Sequence, residues 1–214
     1  MNKFIASLML CCSVFTVSAS ETELVKFQVD TSVLSVERGV DTFMEYCHGC
    51  HSLKYVFYRD LAAFGIGKDR IAEWTGDSML DVAMTSLISD ETATLSFGAI
   101  PPDLSMMVKA REGGNSYLYA YLTGYYLTPD GEIGNHVFPL TKMPDALDIS
   151  SATDSTQRSE LQGKAHDIVS FLSWAADPYK EEREAMGYYV IGYLILLSVL
   201  LYNVKLQIWS RLKT

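Results

Sequence analysis

The 214-residue chain has no low-complexity tract and no internal repeat, which excludes solenoids, arrays and long disordered architectures. Basic charge is scarce: 17 Lys and Arg stand against 26 Asp and Glu, a formal charge of −9. That balance argues against nucleic acid, whose phosphates need neutralising cations, and favours a basic partner in solution. Cysteine is scarcer still, at four residues, so a disulfide-stapled mini-domain is excluded. Proline and glycine number 6 and 14, the proportions of one ordinary globular domain of about 150 to 200 residues.

Long uncharged runs are few, and the two that exist set the organisation. Lys3 precedes an apolar run from Phe4 to Val17, and Val17-Ser-Ala19 offers the small residues at which a signal peptidase cuts. Residues 1–20 are therefore read as an export signal, removed after Ala19 or Ser20. Cys11 and Cys12 leave with it, as does Lys3, so the mature chain keeps only Cys47 and Cys50 and has a formal charge of −10, 16 basic residues against 26 acidic. The second run, Ala185 to Val204, has no charge over twenty residues; at about 1.5 Å per residue such a helix spans the roughly 30 Å hydrocarbon core of a bilayer. Tyr188, Tyr189, Tyr193, Tyr202 and Trp209 suit its interfaces. Lys205, Arg211 and Lys213 follow it without an acid, whereas "KEERE" at 180–184 precedes it with net charge −1, so the positive-inside rule predicts a cytoplasmic tail over 205–214 and an external domain over 21–180.

Within that domain the periodicity is helical. Val36, Val40, Phe43, Met44 and Cys47 fall on one helix face. Further helices are expected over 78–88, over 116–125 behind the Gly113-Gly114 break, and over 155–176, where Leu161, Ala165, Ile168, Val169 and Leu172 share a face and Asp177-Pro178 ends or kinks the run. Residues 128–144 read as an irregular loop, and no strand ladder is expected.

The first of these helices runs into "EYCHGCHS" at 45–52. A Cys-x-x-Cys pair serves as a redox dithiol, as half a zinc site or, when His follows at once, as the attachment site of a c-type haem. A thioredoxin-like dithiol needs a strand before the pair, and here a helix precedes it. Zinc needs four ligands, and His136 and His166 lack the paired spacing of structural sites. Haem requires this spacing: two thioethers fix the porphyrin edge to one turn of chain and hold His51 beneath the iron. His48, between the cysteines, is expected to face solvent. The other axial position separates a carrier, whose iron a thioether closes, from a catalyst, whose iron is open. Met106, Met107, Met143, His136 and His166 are the candidates. A loop lays a thioether against a haem face more readily than a helix interior does, which favours Met143 in the segment stiffened by Pro144, with His136 next.

Taken together, "CHGCHSLKYVFYRDL" (47–61), "GAIPPDLS" (98–105), "KAREGGNSYLYAYLTGY" (109–125), "FPLTKMPDAL" (138–147), "FLSWAADP" (171–178) and "KLQIWSRLK" (205–213) closely resemble the bacterial cytochrome c1 family, the haem subunits of the bc1 complex. The resemblance covers most of the mature chain. It implies a mainly α, class I cytochrome c-like haem domain with a single C-terminal transmembrane helix in the bacterial inner membrane, and haem c on Cys47 and Cys50 with His51 and Met143 axial. It also implies that Arg111 and Tyr117 meet haem propionates and that Pro101 and Pro102 line the pocket beside the ring. A guanidinium suits a carboxylate pair, and proline packs without needing a hydrogen-bond partner. Phe97 stands where members often carry Asn, and the disulfide of some bacterial members has no second Cys pair here.

The implied function is electron transfer rather than catalysis by the chain itself: one electron from a Rieske iron-sulfur protein to a cytochrome c, within a dimeric quinol:cytochrome c oxidoreductase that contains cytochrome b and couples quinol oxidation to proton translocation. Two other classes compete: a membrane-anchored haem enzyme or gas sensor with five-coordinate iron, and a scaffold subunit whose haem mainly stabilises the fold.

Overall fold

A computed structural model describes residues 24–76 and 80–212. The expected signal segment over 1–20 lies outside the described residues. Helix α1, Val33–Tyr46, begins at Ser32, whose Oγ accepts the Ser35 N–H at 3.3 Å, and buries Val36, Val40 and Phe43 completely. The chain then forms β1 (Leu53–Phe57), α2 (Tyr58–Phe64), α3 (Lys68–Thr75), β2 (Ala83–Met84), α4 (Asp90–Phe97), the short α5 (Met107–Ala110), α6 (Gly114–Thr123), β3 (Tyr125–Leu127), β4 (Ile133–Asn135), a 3-10 turn (Ile149–Ser151), α7 (Ser155–Ala175) and α8 (Lys180–Leu212). Mainly α is therefore the class.

The core is the crossing of α1 and α7. Asp154 caps α7 by accepting the Gln157 N–H at 2.8 Å, and Ala165, Ile168, Val169, Phe171 and Leu172 form its buried face. Phe43 meets Phe171 edge-on at 5.5 Å between ring centroids. The helices touch at Gly39, where a Cβ would lie 2.2 Å from the Asp167 carbonyl oxygen and 2.6 Å from the Phe171 Cβ. Arg38 then clamps the Asp167 carboxylate with two bonds of 2.7 and 2.9 Å, and Ser35 Oγ donates to it at 2.9 Å.

Several expectations need correction. Residues 80–88 are not helical, and 77–79 lie outside the described residues. Met84 pairs with Leu53, the Ser86 N–H donates to Ser52 Oγ at 2.8 Å, and the Ile88 N–H donates to the Gly49 carbonyl at 3.2 Å. The backbone donors of this stretch thus go to the cysteine motif and β1 rather than to carbonyls four residues back. The nearby helix starts later, at Asp90, where Ser89 Oγ accepts the Thr92 N–H at 3.2 Å. Two short antiparallel pairs, β1–β2 and β3–β4, also stand where no strand pairing was expected.

At Asp177-Pro178 the helical path breaks as the sequence predicts, and α8 leaves the domain with none of its residues buried. Among the described residues it is the segment long and apolar enough to cross a membrane. Its 33 residues extend about 50 Å. Asp177 holds the joint: its carboxylate accepts from Lys109 Nζ at 2.9 Å and from Arg183 at 2.6 Å, and Arg183, then Lys109, pull its pKa below the ordinary carboxylate value.

The α1–α7 contact yields a test. Gly39→Ala gains helix propensity worth about 1 kcal/mol, yet its methyl would overlap a backbone carbonyl that cannot rotate away. Net destabilisation of about 1 to 3 kcal/mol is expected, read by denaturant unfolding of the detergent-solubilised protein. Unchanged or increased stability would show that α7 yields at this point.

Candidate functional site

Helix α1 ends where the cysteine motif begins, and its last turn shapes the motif. The Cys47 and His48 N–H groups both donate to the Phe43 carbonyl, at 2.8 and 2.9 Å, while those of Cys50 and His51 donate to the Cys47 carbonyl at 3.0 and 2.8 Å. One tight turn therefore carries Cys47, Cys50 and His51 to the wall of a single cavity of about 480 Å³, within the size range of cofactor sites. Both thiols are free, Cys47 buried and Cys50 half-buried. Burial, then the neighbouring Cys50, pushes the Cys47 thiol up to about 12.

His51 is oriented from behind. Its Nδ1 lies 2.8 Å from the Pro102 carbonyl oxygen, which can only accept, so Nδ1 carries the proton and the neutral ring keeps its lone pair on Nε2. Burial lowers the His51 pKa, against the opposing pull of that carbonyl bond and of Asp103. The imidazole is thus prepared as a donor to a metal.

The other walls come from distant parts of the chain. Gly98, in the left-handed conformation at φ 65°, ends α4 and releases Ala99, Ile100, Pro101 and Pro102 along one side. Ile168 and Leu172 of α7 and Leu118 and Leu122 of α6 provide apolar surface, with Tyr117 and Tyr121 beside them. Arg111 reaches the lining from an exposed position just before α6. The loop from Phe138 to Met143 lines the cavity as well, and its Lys142 Nζ donates to the Gly98 carbonyl at 2.9 Å.

The cavity collects Cys47, Cys50, His51, Pro101, Pro102, Arg111, Tyr117 and Met143 together. Of the other candidate axial ligands, Met107 lines it, whereas Met106, His136 and His166 do not. His136 stacks on Tyr126 at 4.1 Å, and His166 Nε2 bonds the Gln28 carbonyl at 2.9 Å. Phe97 lines the cavity too, contributing apolar area rather than a polar contact. Tyr121, Phe138 and Thr141 are lining residues that sequence reasoning left out. A covalently attached haem fits these residues: two free thiols one turn apart, an imidazole with a free lone pair, apolar walls and a guanidinium at the rim.

A model of the cytochrome c1 family matches residues 26–212. The chain belongs to that family. Among its relatives are cytochrome c1 of Allochromatium vinosum, 31% identical with 82% of this chain and 84% of the relative aligned, and cytochrome c1 of Rhodospirillum rubrum, 30% identical over 83% and 82%. A mitochondrial cytochrome c1 heme protein of Arabidopsis thaliana is 35% identical over 84% of this chain and 68% of its own length.

One cytochrome c1 motif residue departs from expectation. His48 does not face solvent; it is buried, 6% exposed, beside Phe43 and the Thr85 backbone just after β2, because the α1 terminus turns it inward. Its Nε2 has no hydrogen-bond partner among the described residues. Burial holds its pKa below the ordinary 6.5, with a backbone bond to Thr85 opposing in part.

As pH falls below about 6.5, the unfolded chain binds the His48 proton before the folded one does, so the folded state loses stability. The contribution is full above that pH and fades as pH descends toward the folded value. His48→Gln should flatten this acid-side slope between pH values of about 7 and 5, measured by denaturant unfolding at fixed salt. An unchanged slope would assign the acid sensitivity to other groups.

Proposed function

We propose that the chain is the electron-transferring subunit of a bc1 complex, in which Cys47 and Cys50 would hold haem c through thioethers and His51 and Met143 would be the ligands of its iron. The observation that carries this reading is the convergence of these four residues on one apolar cavity in which His51 already has its Nδ1 proton engaged by Pro102. When bound, the haem supplies a one-electron couple.

The protein's contribution is placement and shielding. The turn after α1 places Cys47 and Cys50, which would carry the two thioethers, and His51, whose Nε2 lone pair would serve the iron, and the 138–144 loop would supply the Met143 thioether. Arg111 supplies positive charge and Tyr117 a hydroxyl for the propionates, while Pro101, Pro102 and the leucines keep water out. No residue is asked to transfer a proton or form a bond during turnover, so the chain acts as a carrier and is not an enzyme by itself.

The wider reading follows the family. Residues 1–20 are the cleaved signal, 21–180 the periplasmic haem domain, 185–204 the single span and 205–214 the cytoplasmic tail. The electron arrives from a Rieske iron-sulfur protein and leaves to a cytochrome c, beside cytochrome b in a dimeric quinol:cytochrome c oxidoreductase of the bacterial inner membrane. Enclosure of Met143 within the cavity lining favours this carrier over an enzyme or gas sensor with open iron.

Met143→Leu separates these alternatives. Haem should stay attached, because Cys47 and Cys50 hold it, while the potential falls and carbon monoxide gains access to the iron. A fall of about 100 mV corresponds to about 2.3 kcal/mol for one electron. Redox titration and carbon monoxide difference spectra on the purified complex check both; a variant that keeps its potential and still excludes carbon monoxide would return Met107 as the cavity's remaining sulfur donor.

The acidic balance gives a second expectation. If negative surface steers a basic cytochrome c, the association rate should drop steeply between ionic strengths of about 0.01 and 0.1 M, over which the Debye length shrinks from about 30 to about 10 Å. Stopped-flow reduction of the acceptor reads it, and a rate indifferent to salt would point to apolar docking or a tethered acceptor.

A further inference from the structure

Behind Met143 lies a set of hydroxyls that touches both sides of its backbone. The Met143 N–H donates to Thr141 Oγ1 at 3.2 Å, and the Met143 carbonyl accepts from the Tyr125 hydroxyl at 3.0 Å. The Tyr125 and Tyr121 hydroxyl oxygens are 3.2 Å apart, and Tyr121 closes onto Thr141 Oγ1. Tyr125 is buried, 3% exposed, and Asn135 ties its strand to α6 by donating to the Tyr121 carbonyl at 2.8 Å.

The Tyr125 hydroxyl has one proton and two acceptors within reach, the Met143 carbonyl at 3.0 Å and the Tyr121 hydroxyl oxygen at 3.2 Å. Either hydroxyl can donate in the Tyr121–Thr141 contact, and Thr141 Oγ1 accepts the Met143 N–H. The four contacts form a circuit that starts and finishes on the backbone of residue 143.

We propose that Tyr125, acting through this circuit with Tyr121 and Thr141, is a positioning residue that fixes the Met143 backbone and thereby presents the Met143 thioether to the cavity. The inference rests on the reading of Met143 as an axial ligand. Burial, then the Tyr121 hydroxyl, pushes the Tyr125 pKa above its ordinary value, so the donor to Met143 stays protonated. The loop has few other restraints: the Thr141 N–H bonds the Phe138 carbonyl at 3.0 Å, and Lys142 reaches Gly98 from an exposed position. Cys47 and Cys50 would hold a haem whether or not the sulfur is bound, so the circuit bears on ligation and not on attachment.

The test uses the intact, haem-loaded membrane complex carrying Tyr125→Phe, Thr141→Val, Thr141→Ser or Met143→Leu. Tyr125→Phe keeps the aromatic ring and removes the one proton that the described residues offer to the Met143 carbonyl. Covalent haem content should match the parent, while the midpoint potential falls and the fraction of reduced protein that binds carbon monoxide rises about tenfold, as expected for one lost buried hydrogen bond. Thr141→Val should move both readouts the same way, and Thr141→Ser should restore them by returning the hydroxyl. A Tyr125→Phe protein with parental potential and parental exclusion of carbon monoxide overturns the positioning role, as does Thr141→Ser behaving like Thr141→Val. If Tyr125→Phe does not assemble, the Thr141 pair decides alone. Met143→Leu distinguishes the two levels: parental behaviour there overturns the axial reading and this inference with it, whereas a response there without one in the Tyr125 and Thr141 variants overturns the positioning role only.

Discussion

The contact at Gly39 governs the molecule. Helix α1 cannot approach α7 so closely with a side chain at this point, since a Cβ would sit 2.2 Å from the Asp167 carbonyl oxygen. Once the helices touch, Phe43 and Phe171 pack edge to face and Arg38 locks onto Asp167. The consequence reaches the cavity from both helices. Cys47, Cys50 and His51 follow directly from the end of α1, and Ile168 and Leu172 project from α7 into the same wall. Any change in the crossing would therefore move the cysteine turn relative to its apolar floor.

Sequence was most informative where one side of an element faces the core. Val36, Val40 and Phe43 predict α1, and Ala165, Ile168, Val169 and Leu172 predict α7 to within a residue of its end, because burial of a stripe imposes helical periodicity. The break at Asp177-Pro178 was legible for a local reason, the restriction of a residue before proline. Residues 80–88 were misread because their partners are non-local: Met84, Ser86 and Ile88 bond to Leu53, Ser52 and Gly49, 31 to 39 residues earlier. The Ser89-Asp90 start of α4 was a capping signal that periodicity alone overlooked.

The cavity was legible in part, and for a similar reason. Cys47, Cys50 and His51 form a contiguous motif whose spacing carries its own chemistry. His48 was placed on the wrong side because a helix face counted as far as Cys47 says nothing about a tight turn beyond it. Met143 was favoured by its place in a loop, whereas the proximity of Arg111, Tyr117, Pro101 and Pro102 to that motif is a property of chain tracing, which family resemblance supplied and spacing could not. Tyr121 and Thr141 escaped both routes, since their hydrogen bonds join a helix to a loop twenty residues on.

The two sides of the cavity are therefore built on different physical terms. On the side of His51, backbone bonds of one helical turn hold Cys47, Cys50 and His51 together, and the Pro102 carbonyl holds the imidazole at 2.8 Å. On the side of Met143, an irregular loop depends on one bond donated by Tyr125, one accepted by Thr141 Oγ1, the Thr141–Phe138 backbone bond and one exposed lysine contact. Each such bond contributes only about 1 kcal/mol net, although stranding a buried carbonyl costs more. In the proposed haem reading, adjustment of the redox potential by sequence change would fall on the Met143 side, where small free energies decide the geometry. The α1 side tolerates less, because there His51 shares one backbone turn with the two cysteines suited to attachment.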